Sequence, residues 1–260
     1  MTPLLSLDSL DISFNKQLVA QDISFSLRSG EILGVIGESG SGKSTILKAI
    51  MNLLGGNGRV SKGHIWFEGQ DIVDLPADAR RKINGAKITM VFQDSRLSLC
   101  PVRSIGSQIH EVFLAHTSHS RKHSDAMALE VLSTLAFKDP LRILNSYPFE
   151  LSGGMIQRVG IGMAMLLQPS LILADEPTSA LDVAVQKEII HQFMHLKERY
   201  KTAIVFVSHN IKLIEKISDA VMVLKDGRVM EYGPCDRVFK APQDAYTKTL
   251  LAAAPVLRRH

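Results

Sequence analysis

Cysteine is nearly absent. Among 260 residues only Cys100 and Cys235 occur, which excludes a disulfide scaffold, a zinc ribbon and a four-cysteine iron–sulfur site. No apolar run approaches the ~18 residues that a membrane-crossing helix requires. The most apolar region, residues 160–174, is interrupted at Gln168-Pro169. A secretory signal is missing too, because Asp8 and Asp11 stand where a basic start and an apolar core are needed. The chain is therefore expected in the cytoplasm, and work at a membrane would require another protein to hold it there. Charge of one sign is also lacking: 30 Lys+Arg against 26 Asp+Glu leave +4, scattered rather than gathered into a stripe, so no nucleic-acid partner is expected. No internal repeat or low-complexity segment is present. With 45% hydrophobic and 22% charged residues, what remains is a globular chain able to bury a substantial core as one domain or a compact two-lobed one.

The patterning begins with strands. Residues 4–14 and 18–27 alternate apolar and polar side chains, with Ile23, Phe25 and Leu27 on one face. After a turn at Ser29-Gly30, the run Ile32-Leu33-Gly34-Val35-Ile36 is nearly all apolar, as a strand covered on both faces should be. A glycine-rich loop and a helix over residues 44–54 follow, then strands over 63–69 and 87–92. From Asp94 to Glu150 the spacing is helical, with Ile105, Ile109 and Val112-Phe113 on one face. Alternation then returns: a strand over 171–174, a helix over 183–200, strands over 203–207 and 220–224, and a tight Asp226-Gly227 turn into 228–231. A helical tail is expected to end at Ala254. The economical reading is an α/β core with a helical insertion.

Gly37-Glu38-Ser39-Gly40-Ser41-Gly42-Lys43-Ser44-Thr45 has the G-x-x-x-x-G-K-[ST] spacing between a buried strand and a helix. Its glycines let backbone N–H groups turn inward around a polyphosphate, and the helix beginning at Lys43 points its positive end at the same anion. Lys43 should reach the outer phosphates, and Ser44 should offer its hydroxyl to Mg²⁺. The apolar strand Leu171-Ile172-Leu173-Ala174 ends in two acids. Asp175 suits the Mg²⁺ shell, and Glu176 suits an attacking water, as its orienter or its base. GTP is disfavoured, since Asn15-Lys16-Gln17-Leu18 lacks the Asp of a guanine-reading N-K-x-D and precedes the loop.

Leu151-Ser152-Gly153-Gly154-Met155-Ile156-Gln157-Arg158 makes the match specific. Together with Phe14, Gln93, Ser179-Ala180-Leu181-Asp182 and Val207-Ser208-His209 in their order, the chain resembles the ATP-binding subunit of an ABC transporter over essentially its whole length. The resemblance implies a P-loop α/β core with an N-terminal antiparallel β subdomain and an inserted α-helical subdomain. It implies a single domain in which residues 1–93 and 165–235 form the catalytic core with its β subdomain, 94–164 the helical and signature subdomain, and 236–260 a short tail. It further implies ATP and Mg²⁺ as ligands. By this resemblance Phe14 would stack on adenine, residues 37–45 would hold phosphates, Ser44 and Asp175 would serve the metal, and Gln93 would reach the metal or the water. The same resemblance implies that Glu176 would handle the water, that His209 would contact the γ-phosphate and keep Glu176 positioned, and that Gln93 would link hydrolysis to the helical subdomain. Ser152, Gly153 and Gly154 begin a helix whose N-terminus can face the γ-phosphate of the opposite subunit, and Asp182 mediates across that head-to-tail interface. Two positions depart from the family: Met155 replaces the usual Gln, which touches a ribose contact but not the cradle, and Asn210 stands where Asp is common.

One cassette without membrane helices resembles an importer's separate ATPase. Gln93-Asp94-Ser95-Arg96-Leu97-Ser98-Leu99-Cys100-Pro101 and Ser146-Tyr147-Pro148-Phe149-Glu150-Leu151 resemble the peptide and nickel importer group, with nickel or metallophore members most similar and di- or oligopeptide members next. Longer oligopeptide members often add a Cys-bearing C-terminal extension, absent here. That resemblance implies two transmembrane permeases, a second, different ATP-binding subunit, an extracytoplasmic solute-binding protein and a place on the cytoplasmic face of the inner membrane. A soluble relative acting on nucleic acid or ribosomes, and a metal-binding regulator, are the alternatives from other classes. His116, His119 and His123, and the pair His191/His195, have spacings that could align imidazoles on one helix face. A solvated face explains them better than a metal site. Trp66 and the methionines of residues 155–165 read as core packing.

Overall fold

The computed structural model describes residues 2–179 and 181–253, so Ala180 of the Ser179–Asp182 run, and Ala254 at the expected end of the tail, lie outside the described residues. In chain order the elements are β1 (Leu5–Phe14), β2 (Gln17–Leu27), β3 (Ile32–Gly37), α1 (Lys43–Ile50), β4 (Gly58–Phe67), β5 (Gln70–Asp71) and α2 (Ala77–Ile83). Then come β6 (Ile88–Val91), α3 (Ile105–His116), α4 (Arg121–Thr134), α5 (Pro140–Asn145), α6 (Gly153–Met165), β7 (Leu171–Asp175) and α7 (Val183–Tyr200). The chain closes with β8 (Ala203–Val207), α8 (Ile211–Ile217), β9 (Ala220–Lys225), β10 (Arg228–Pro234), α9 (Cys235–Lys240) and α10 (Ala245–Ala252). Two compact units result, one running to Leu75 and again from Ala203, the other spanning Pro76–Thr202.

The first unit holds two sheets. The antiparallel one has the order β2-β1-β4-β5. Its register sets Leu5 opposite Leu27, Leu7 opposite Phe25 and Leu10 opposite Ile23, so apolar residues meet on the buried face. Asn15-Lys16 forms the two-residue turn between β1 and β2 with φ of 48° and 69°, the left-handed pair that a tight hairpin requires. The second sheet runs β10-β9-β3-β8 in this unit, with β3 parallel to both neighbours. All six residues of β3 are buried, which accounts for its unbroken apolar sequence. Asp226 and Gly227 (φ 47° and 73°) turn β9 into β10. No other residue fits at 227, because a Cβ there would lie 2.0 Å from the Val19 carbonyl oxygen.

The second unit pairs β6 with β7 in parallel, Ile88 opposite Leu171 through Val91 opposite Ala174. Ile105, Ile109 and Phe113 are buried on α3, Ala128 and Leu132 on α4, and Ile156, Val159 and Ile161 on α6. Each large side chain contributes roughly 2 kcal/mol by leaving water. The α/β layout with an antiparallel sheet and a helical region is as expected. Several details differ. Helix α1 stops at Ile50 rather than residue 54, because Asn52 turns left-handed at φ 56°. Strand β4 starts at Gly58 and yields to a Glu68-Gly69 turn (φ 50° and 79°). Strand β8 ends at Val207, leaving His209 in the following loop.

Trp66 is not core: it is 39% exposed while Ile65 and Phe67 are buried, since adjacent strand residues face opposite ways. Of the methionines, Met165 is buried and Met155 and Met163 half-buried. His116, His119 and His123 do not share a helix, as α3 ends at His116 and Ser120 caps α4. His119 and His123 have ring centroids 4.2 Å apart, and among the described residues no group of three or more His, Cys, Asp or Glu could hold a metal. Gly227→Ala is expected to lower Tm by about 4–8 °C, the shift that about 2 kcal/mol produces at this chain length. Scanning calorimetry checks this, and an unchanged Tm would show that the hairpin can relax away from Val19.

Candidate functional site

Strand β3 delivers the phosphate loop. Gly37 has φ 153° and a Cβ there would sit 2.2 Å from the Leu224 carbonyl oxygen, so the loop leaves the sheet only through glycine. Gly42, at φ 99°, precedes α1 and supplies no side chain to its open N-terminus, leaving the helix's first N–H groups for an anion. Lys43 is 5% exposed. Its Nζ donates to the carbonyls of Gly37 (2.9 Å) and Glu38 (2.6 Å) and to Ser41 Oγ (3.3 Å). The Ser41 carbonyl in turn accepts from Gly227 N–H at 3.1 Å, so the β9–β10 turn buttresses the loop. A glycine-lined cradle with an ammonium held inside it fits a polyphosphate, and Ser44, second residue of α1, supplies the hard oxygen that suits Mg²⁺. Phe14 is half-buried at the end of β1, and His209 is exposed beyond β8. Asn210 accepts from Leu213 N–H at 3.1 Å and caps α8, a task an Asp would perform equally.

The acids lie in the other unit. Asp175 ends β7 and is 5% exposed. Glu176 follows at φ 48°, a left-handed conformation uncommon for a side chain of this size. Such strain gathers at functional sites. The Glu176 carbonyl accepts from Ser179 N–H (3.2 Å) and Ser179 Oγ (3.1 Å), which closes the turn after the strand. Gln93 Nε2 donates to Glu176 Oε2 at 3.4 Å. Gln157 holds both approaches: buried on α6, it accepts from Ser95 N–H (3.2 Å) and donates to the carbonyls of Phe92 (3.0 Å) and Pro177 (3.2 Å). Gln157 lies within the signature stretch, but nothing local reveals this bracing role, because its partners are remote in sequence.

The signature residues stand at the start of α6. Ser152 is its N-cap, Oγ accepting from Met155 N–H at 3.4 Å. Ser152 and Gly153 are exposed, and a Cβ built at Gly153 meets nothing within 4 Å. The N-terminus of a 13-residue helix thus faces outward. Asp182 likewise caps α7, accepting from Ala184 N–H (3.1 Å) and Val185 N–H (3.0 Å). Gln108, buried on α3, ties the preceding loop by accepting from Cys100 N–H (2.8 Å) and donating to the carbonyls of Cys100 (3.0 Å) and Arg103 (2.9 Å). The structure therefore brings Gln93, Asp175, Glu176, the signature and Asp182 into one unit, and Phe14, the phosphate loop and His209 into the other.

Residues 20–179 match the family model described as ABC transporter. The chain belongs to the ABC transporter family. It is an ABC ATPase that binds ATP, and its relatives are ATP-binding subunits of importers. It is 40% identical over 259 residues to the metal-staphylopine import system ATP-binding protein CntD of Staphylococcus aureus, covering 99% of this chain and 95% of the relative. It is also 40% identical to the oligopeptide transport ATP-binding protein OppD of Haemophilus influenzae, covering 99% and 80%. Among solved structures, the dimeric post-hydrolysis state of the ATP-binding cassette MJ0796 with ADP and Pi superposes with a TM-score of 0.80 at 28% identity, covering 89% of this chain and 98% of that one. These matches agree with the peptide and nickel importer group and with the P-loop fold class.

Replacing Gln157 with Leu would leave an N–H and two carbonyls unpaired, at about 1–3 kcal/mol for each buried group. Gln157→Leu is therefore expected to cut ATP turnover at least about tenfold by loosening the segments that carry Gln93 and Glu176. Steady-state ATPase measured alongside Tm checks this, and turnover within about twofold of wild type would refute it.

Proposed function

We propose that the chain is the ATP-hydrolysing subunit that powers an importer of nickel or a nickel chelate. In this reading it pairs head-to-tail with a second ATP-binding subunit beneath two transmembrane permeases, peripheral to the cytoplasmic face of the inner membrane. An extracytoplasmic solute-binding protein delivers the cargo. The observation that carries the reading is the exposed, glycine-flanked N-terminus of α6, a second anion cradle with an outward aspect. ATP held by Phe14 and residues 37–45 of one subunit meets Ser152, Gly153 and Gly154 of the other, so nucleotide acts as interfacial glue. Loss of the γ-phosphate contacts reopens the pair, and the difference in nucleotide affinity between open and closed states drives the permeases. Asp182 acts across the same interface.

Ser44, Gln93 and Asp175 would hold Mg²⁺, which supplies charge neutralisation to phosphoryl oxygens when bound. Glu176 orients or deprotonates water, with Gln93 as its neighbour and His209 as the γ-phosphate contact. Exposed Leu97 (88%) and Val102 (78%) support the surface around residues 93–108 as the permease contact. Among the described residues no helix is long and apolar enough to cross a membrane.

The metal-chelate cargo draws support from the staphylopine-system relative and from the stretch Tyr147-Pro148-Phe149-Glu150 leading into Ser152. The second reading is di- or oligopeptide import, which the OppD relative favours at the same 40% identity. Glu176→Gln is expected to abolish turnover while ATP still closes the dimer, as read by ATPase assay and gel filtration. Wild-type turnover in this variant would remove Glu176 from its role. Tagged Glu176→Gln protein, recovered from source membranes with ATP, should bring two permeases and a second ATPase. The accompanying binding protein is then tested for nickel, metallophore and peptide. Recovery of ribosomes or nucleic acid alone would overturn the transport reading.

A further inference from the structure

Polar side chains that pin backbone groups show where the fold restrains a segment. Glu231 on β10 is 7% exposed and accepts Gln243 N–H on both carboxyl oxygens at 3.1 Å and Asp244 N–H at 3.2 Å, which seats the start of α10 on the sheet. A second set of pins lies after β7, on the turn that begins at the left-handed Glu176 and ends at the Asp182 cap. A side chain in that conformation persists only where its surroundings over-determine it. Within the turn, Ser179 N–H and Oγ return to the Glu176 carbonyl, and Leu181 N–H donates to the Thr178 carbonyl at 3.2 Å. From α6, Gln157 Nε2 holds the Pro177 carbonyl at 3.2 Å.

Gln186 supplies the matching pin from α7. Its Nε2 donates to the Thr178 carbonyl at 2.9 Å and to the Leu181 carbonyl at 3.1 Å. The reach follows from helix geometry: residue 186 stands one turn after the Asp182 cap, and helical side chains lean towards the N-terminus. The chemistry of the position is narrow. Meeting two carbonyls from one side-chain nitrogen needs two hydrogens on it; a hydroxyl offers one and a carboxylate none. Thr178 is 4% exposed, so water is a poor substitute for this donor. Gln157 and Gln186 thereby fix successive carbonyls, Pro177 and Thr178, from two different helices. We propose that Gln186 is a positioning residue for ATP hydrolysis, its amide locking the turn after β7 so that the Glu176 carboxylate is held for the attacking water. This rests on Glu176 handling that water.

The experiment compares wild type, Gln186→Met, Gln186→Lys and Glu176→Gln by steady-state ATPase, with Tm measured on each. Gln186→Met keeps the length of the side chain and deletes both donors. It is expected to lower kcat about tenfold, with KM for ATP within about twofold and Tm within about 4 °C of wild type. Gln186→Lys returns a nitrogen with hydrogens for both carbonyls, and its kcat should recover to within about threefold of wild type. A purely structural loss would not show this split between kcat and KM, nor this rescue. A kcat within about twofold of wild type in Gln186→Met, beside an inactive Glu176→Gln, would overturn the clamp alone. A KM that rises in step with the fall in kcat, or a Gln186→Lys variant as slow as Gln186→Met, would do the same. Wild-type turnover in Glu176→Gln would instead remove the Glu176 reading, and the proposal with it.

Discussion

The close approach of two backbones at Gly37 is the constraint from which the nucleotide end of the molecule is built. With a Cβ excluded 2.2 Å from the Leu224 carbonyl, strand β3 can turn into its loop directly against β9. The Gly227 N–H then reaches the Ser41 carbonyl at 3.1 Å, and Lys43 folds back onto the Gly37 and Glu38 carbonyls. A buried ammonium is costly unless it is well solvated by polar groups. Here the loop's own carbonyls take water's place. Phosphates bound there, as we propose, would exchange one set of oxygen partners on Lys43 for another.

Short polar side chains do double service. Ser104, Ser120, Asp139, Ser152, Asp182, Asn210 and Asp244 each accept a backbone N–H at a helix start, a contact that contributes typically about 1 kcal/mol. Two of these, Ser152 and Asp182, are also residues that we propose meet the nucleotide and the neighbouring subunit. Their helices are oriented by the same atoms that a nucleotide or a neighbouring subunit would meet, so stability and recognition are coupled at both places.

Much of this was legible in the sequence because the informative signals were local. The all-apolar runs of β3, β7 and β8 follow from burial on both faces. The bounds of α7 follow from the Asp182 cap and an 18-residue amphipathic stretch. The phosphate loop declares itself by its spacing and the signature by its resemblance to the family. Other features were hidden for physical reasons. Helices α2 and α8 have seven residues each, under two turns, too few for a period to show. Trp66 could have been placed outward by strict alternation with Ile65 and Phe67, had its size not suggested a core role. Gln157 reaches partners 62, 65 and 20 residues away. Only folding creates such pairs.

Glu231 has a consequence for how the chain can be cut. Three acceptor contacts of this buried carboxyl are spent on the amides of Gln243 and Asp244. Truncation before residue 243 would therefore do more than trim a surface helix: it would strand an acid inside the sheet with nothing to receive its oxygens, a loss of about 3–5 kcal/mol by analogy with broken buried pairs. The segment that leads into α10 is thus a structural keystone of β10. A shortened version of this protein would need an apolar residue at position 231 before it could be expected to stand.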